Sequence, residues 1–129
     1  MPVKYVVIPR VNPRDRDKVK FYAQAKSSGE FTFKKLGKEI AEGSTTVSDT
    51  DVMAVLNDLT KILKRHLENG EIVRFGDFGS FQISVSSDGA EKEDKFHASM
   101  ITKSKVVFRP GVDLKEMLNN LKFEKEKKK

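Results

Sequence analysis

The strongest constraint on this chain is a run of apolar residues at three- and four-residue steps: Val52, Val55, Leu56, Leu59, Ile62, Leu63 and Leu67. That spacing places all seven on one side of an α-helix. Ser48-Asp49-Thr50-Asp51 just before it fits a capping box, and Asp49 and Asp51 complement the positive end of the helix dipole. Asn69-Gly70 ends the pattern, with Lys61, Lys64 and Arg65 near the negative end. The predicted helix, Ser48–Asn69, has a long apolar face that needs a partner surface.

The flanking segments are shorter and mixed. Val3, Tyr5 and Val7 alternate with Lys4, Val6 and Ile8, and Val19, Phe21, Ala23 and Ala25 alternate with Lys18, Lys20, Tyr22 and Gln24. Between them stand Pro9, Asn12, Pro13 and the charged run Arg14-Asp15-Arg16-Asp17, so residues 1–30 read as a β-hairpin closed by a charged loop. Thr32 precedes Phe33, Leu36, Ile40 and Ala41, a short amphipathic helix stopping at Gly43, with a loop at Ser44-Thr45-Thr46. Glu71–Val85 turns to strand character around the tight turn Gly76-Asp77-Phe78-Gly79. Ser86–Lys95 is polar and acid-rich, and Phe96–Thr102 fits no single element. Lys105–Arg109 reads as a strand ended by Pro110-Gly111, then Leu114, Met117, Leu118 and Leu121 line a last helix. Glu124–Lys129 is expected to be a solvated charged tail.

Composition narrows the chemistry. The 129 residues include no cysteine, which removes disulfides, thiolate zinc sites, iron–sulfur clusters and cysteine nucleophiles. The two histidines, His66 and His97, lie far apart, and no Gly-rich phosphate loop, nucleophile elbow or apolar carboxylate pair is present. The expectation is a protein that is not an enzyme and holds no cofactor or metal. No segment approaches the ~20 apolar residues of a membrane span, and the N-terminus lacks a secretory-type apolar stretch. A chain of this length can in principle bury its own core. The net charge is +6. It is uneven: residues 1–30 carry seven cations and three anions, residues 31–83 seven and eight, and residues 84–129 eleven and eight. Two basic flanks around a neutral middle suggest a polyanionic partner.

Two motifs carry a resemblance. Asn69-Gly70-Glu71-Ile72-Val73-Arg74-Phe75-Gly76-Asp77-Phe78-Gly79-Ser80-Phe81, and later Phe108-Arg109-Pro110-Gly111 before Leu114-Lys115, follow two helices in the order found in bacterial histone-like DNA-binding proteins. From about Phe31 to Leu121 the chain resembles the HU and integration-host-factor family, in a variant with an N-terminal extension. The resemblance implies an α+β, HU-like fold: two N-terminal helices, a β-sheet with a long arm region, a short C-terminal helix, and an intertwined homodimer. The long helix would form the dimer core, and an extra N-terminal β-hairpin would precede the whole. The implied division is an extension at 1–30, an HU-like DNA-binding domain at 31–123 and a tail at 124–129.

The implied function is sequence-nonspecific, architectural binding of double-stranded DNA in the cytoplasmic nucleoid, with two β-arms reaching round the minor groove and bending the duplex. Two features depart from the family. The stretch matching the arm, Val85–Lys105, has no proline to wedge between base pairs, and its first half is acidic. The N-terminal hairpin is the second. The competing reading is therefore a protein-interaction module that kept the fold and lost DNA, with the hairpin offering an edge for β-augmentation.

The candidate DNA contacts are Arg74, Lys103, Lys105, Arg109, Lys115, Arg10, Arg14 and Arg16. Lys103, Lys105 and Arg109 fall at alternate strand positions, hence on one face, and Lys115 sits just inside the last helix, whose free N–H groups would help seat a phosphate. The bland alternatives are an edge strand guarded by lysines and a solvated N-terminal loop whose Asp15 and Asp17 pair locally. Phe75, Phe78 and Phe81 are too many aromatics for a lone hairpin and are expected to pack on helices. His66 is expected at a core boundary.

Overall fold

The computed structural model describes residues 2–43 and 46–127. The expected loop residues Ser44 and Thr45, and the last two lysines, lie outside the described residues. The chain divides into two compact units: residues 1–32 with 117–129, and residues 33–116.

The first unit is a three-stranded sheet. β1 (Val3–Asn12) and β2 (Asp15–Ala25) pair antiparallel, with Tyr5 opposite Ala25 and Arg10 opposite Lys20. Pro13-Arg14 makes the reversal, tightened by the Arg14 N–H donating to Asn12 Oδ1 at 3.0 Å. The register jumps from Val11–Val19 to Asn12–Asp15, leaving Arg16, Asp17 and Lys18 without opposite partners on β1. The charged run expected as loop is therefore partly strand, bulged at its tip.

The third strand corrects the sequence reading. Phe123–Lys125, where a solvated tail was expected to begin, is β6, running parallel to β1 with Val3 opposite Phe123 and Tyr5 opposite Lys125. The Val3 N–H donates to the Lys122 carbonyl at 2.7 Å, and the Glu126 N–H donates to the Tyr5 carbonyl at 2.9 Å. The free backbone edge of β1 recruits this segment whatever its side-chain charge, because the ladder uses main-chain groups. Lys26 Nζ then reaches both carboxylate oxygens of Glu126 at 2.6 Å.

The second unit begins with α1 (Phe33–Gly43) and α2 (Asp49–Glu68). α2 starts as its sequence predicts, Ser48 Oγ accepting from the Asp51 N–H at 3.2 Å. It ends at Asn69, with Gly70 at φ +80°, a left-handed geometry that glycine adopts at little cost. Gly37 of α1 is buried where Met53 and Leu56 of α2 approach, so the helices meet through a position with no side chain.

β3 (Val73–Phe75), β4 (Gly79–Ser87) and β5 (Ile101–Pro110) form an antiparallel sheet in that order. β5 begins four residues earlier than the Lys105 expected from sequence. Residues Glu93–Lys95 and Ala98–Met100 are short 3-10 turns, so the ambiguous stretch at 96–102 is turn and then strand. α3 (Val112–Asn119) follows directly.

The two motifs of the sequence dock on each other. The Phe78 carbonyl accepts from the Gly111 N–H at 2.8 Å, and the Asp77 carbonyl accepts from the Asp113 N–H at 3.2 Å. A Cβ on Gly79 would stand 2.5 Å from the Phe108 ring and 2.6 Å from the Arg109 carbonyl oxygen, so only glycine lets the turn close here. Phe75, Phe78, Phe108 and Phe81 form a chain of rings with successive centroids 5.9, 5.7 and 4.9 Å apart. The aromatics thus pack on one another and on β5, and Phe81 also shares the lining of a groove with Leu63 and Leu67 of α2.

The single chain buries very little. Among the described residues Val52 is the one buried hydrophobic, and no side chain is fully enclosed. Length alone would permit a self-contained core, but in the single chain apolar faces on α2 and on the sheet stay open to solvent.

Candidate nucleic-acid interface

The second unit's sheet has two chemically opposite faces, set by the alternation of side chains along each strand. One face carries Val73, Phe81 and Phe108 in one cross-strand row and Ile83 and Val106 in another. Of these, Phe81, Ile83 and Val106 line a largely apolar groove of about 660 Å³ with Leu63 and Leu67 of α2.

The other face is built on β4. Ser80 has Arg74 of β3 on one side and Arg109 of β5 on the other. Further along, Ser84 faces Lys105 and Ser86 faces Lys103, with Gln82 opposite Val107 between. Four cations therefore frame a central row of small polar side chains, and no strand position on this face carries a carboxylate. The serines and Gln82 up to Ser84 are half-buried while all four cations are exposed. Short side chains along the middle leave the flanking guanidinium and ammonium groups standing above a shallow strip that hydroxyls can complement.

This arrangement unites Arg74, Lys103, Lys105 and Arg109 from the sequence reading. It adds Ser80, Gln82, Ser84 and Ser86, whose alternation with Phe81, Ile83 and Val85 was visible but whose cross-strand partners were not. Beyond Ser86 the pairing slips, Ser87 facing Ile101, so Thr102 bulges and its Oγ1 donates to the Ser86 carbonyl at 3.3 Å. Asp88, Glu91, Glu93 and Asp94 follow, all exposed.

Lys115 is exposed on α3 rather than on this sheet face. Its expected partner, a free helix N-terminus, is altered: the Gly111 and Asp113 N–H groups are taken by the Phe78 and Asp77 carbonyls, and the Asp113 carboxylate occupies the first turn. The helix start is used to lock the motif turn, which removes donors a phosphate would need.

Arg10, Arg14 and Arg16 belong to the other unit, at the tip of the β1–β2 hairpin. Arg10 lies over the Tyr22 ring, 5.8 Å from its centroid, and opposite Lys20. Asp15 and Asp17 are tied together, the Asp17 N–H donating to Asp15 Oδ1 at 3.2 Å. His66 is half-buried at the end of α2, its Nδ1 against the Glu71 carboxylate. No group of three or more metal-ligating side chains occurs among the described residues, and no helix among them is long and apolar enough to cross a membrane.

Comparison with solved structures places this fold among known ones. A proposed bacterial DNA-binding protein from Bacteroides vulgatus matches with a TM-score of 0.64 at 12% identity, over 97% of this chain and 49% of that one. The chain thus spans about half the length of that protein. HU from Anabaena, solved in a cocrystal with DNA, matches with a TM-score of 0.54 at 17% identity, over 69% of this chain and 98% of that one. At these identities the likeness is one of fold. No curated protein sequence matches. A family model described as an HU domain fused to wHTH, Ig, or Glycine-rich motif matches residues 1–125, and the chain therefore belongs to the HU-HIG family.

Proposed function

We propose that this protein is an architectural, sequence-nonspecific binder of double-stranded DNA in the nucleoid, seating backbone phosphates on the basic face of the β3–β4–β5 sheet. The observation that carries this reading is the row Arg74–Ser80–Arg109, continued by Lys105 and Lys103 with no carboxylate on the same strand positions. Cations spaced along a strip of small polar residues suit a phosphate backbone, whereas base reading needs long side chains aimed into a groove. Arg10, Arg14 and Arg16 add contacts from the hairpin, and Lys115 from α3. The chemistry is binding, with no catalytic step and no cofactor.

The working form is a homodimer closed through α2 and the apolar face of the sheet. The open groove beside Leu63, Leu67, Phe81 and Ile83 and the near absence of buried residues in one chain support this. Bending of the duplex would come from the sheet region itself, because the connection at 88–100 is acid-rich and contains no proline to insert. That acidic segment is also the observation favouring the second reading, an HU-fold interaction module without DNA.

The deciding experiment is binding of a labelled random-sequence duplex, intact and nicked, across a salt series. Affinity falling linearly in log–log salt, equal for unrelated sequences, establishes the phosphate-driven reading. Absence of binding at low salt establishes the module.

A further inference from the structure

The hairpin tip holds a second concavity that the sheet face does not use. Arg10, Asn12, Pro13, Lys18, Lys20 and Tyr22 line a cavity of about 390 Å³. It lies beside the register jump, where Arg16, Asp17 and Lys18 lack opposite partners on β1. Its walls carry three cations and no carboxylate. Asp15, paired with Asn12, and Asp17 on the bulge do not line it. Tyr22 is 47% exposed, with the Arg10 guanidinium over its ring. Asn12 Oδ1 accepts from the Arg14 N–H at 3.0 Å, which ties the Asn12 side chain to the turn.

From this we infer that the hairpin tip is a distinct binding site for an unpaired nucleotide of single-stranded DNA. The inference rests on the reading of the chain as a nucleic-acid binder and goes beyond it. Phosphate contacts to a duplex need only exposed cations, and the sheet face supplies them. A half-open cup of small-ligand size with an exposed aromatic ring beside cations fits one base stacked on Tyr22 and the adjoining phosphate held by Lys18 and Lys20. Such stacking tolerates any base, since every base presents a π-face.

The test uses the full chain and two probes, a fluorescently labelled oligothymidylate and a labelled duplex of the same length. Tyr22→Ala is expected to weaken oligothymidylate binding about tenfold while duplex binding is unchanged. Tyr22→Phe, which keeps the ring, is expected to bind both as the unaltered chain does, and circular dichroism of both variants reports whether the hairpin has kept its strands. The double variant Arg74→Ala/Arg109→Ala should show the converse, losing duplex affinity and keeping the oligothymidylate. Oligothymidylate binding indifferent to Tyr22→Ala, or lost equally with duplex binding, overturns the nucleotide site. A chain that binds duplex but never the oligothymidylate overturns it while leaving the sheet reading intact, and a chain that binds neither overturns both.

Discussion

Arg74 and Arg109 stand on opposite sides of Ser80 in a single cross-strand row, 35 positions apart in sequence and two strands apart in space. At the usual spacing of strands their backbones are about 10 Å apart. Both side chains are exposed on a face without carboxylates. Replacing both with alanine should weaken duplex binding and flatten its salt dependence. For a dimer this removes four phosphate contacts, so the log–log slope should fall by about 3–4. A titration of affinity against salt for the two proteins checks it; an unchanged slope would place the DNA elsewhere.

Ser80 itself makes a sharper probe. Ser80→Glu puts a carboxylate between the two guanidinium groups, neutralising the centre of the strip. Duplex affinity should drop more than for Ser80→Ala, which keeps the charge pattern, and the gap between the two variants should shrink as salt rises. Equal affinities at low salt would count against a phosphate seat at this row.

Gly79 controls the junction of the two motifs. In Gly79→Ala the added methyl meets the Phe108 ring and the Arg109 carbonyl at 2.5–2.6 Å, and the carbonyl is backbone that cannot swing away. The expected cost is about 1–3 kcal/mol of stability, read from the urea midpoint. A variant as stable as the parent would mean that β4 and β5 can separate at this end without loss.

Leu59 lies on the apolar stripe of α2, half-buried in a chain whose core is open. Leu59→Asp should prevent both folding and self-association, seen together by circular dichroism and sedimentation. A soluble, folded monomer would refute an obligate dimer.

The β6 segment should matter through its backbone more than its charges. Glu126→Ala removes an exposed ion pair with Lys26 and should cost under about 1 kcal/mol. Deleting residues 122–129 removes the acceptor for the Val3 N–H and the donor to the Tyr5 carbonyl. Amide exchange at Val3 should then accelerate strongly, while in Glu126→Ala it should stay slow.

Much of this protein was legible in the order of its residues, wherever the signal acts over a few positions. Ser48 capping Asp51, the α2 stripe from Val52 to Leu67, Gly70 closing the helix, the 76–79 turn and the Asn12-Pro13 reversal all depend on neighbours within a turn or a strand pair. The common face of Lys103, Lys105 and Arg109 followed from alternation alone. What only the tertiary structure decided involves partners far apart in the chain. Arg74 joins those cations because β4 sits between β3 and β5 in one particular register, which no local pattern encodes. Glu124 and Lys125 look like solvent residues, yet they complete a sheet because β1 leaves an edge of unpaired main-chain groups some 120 residues away in sequence. The start of α3 looks open to a phosphate, but the Asp77 and Phe78 carbonyls reach it first. Side-chain chemistry is written residue by residue, whereas main-chain hydrogen bonds pair any segments that the fold brings together.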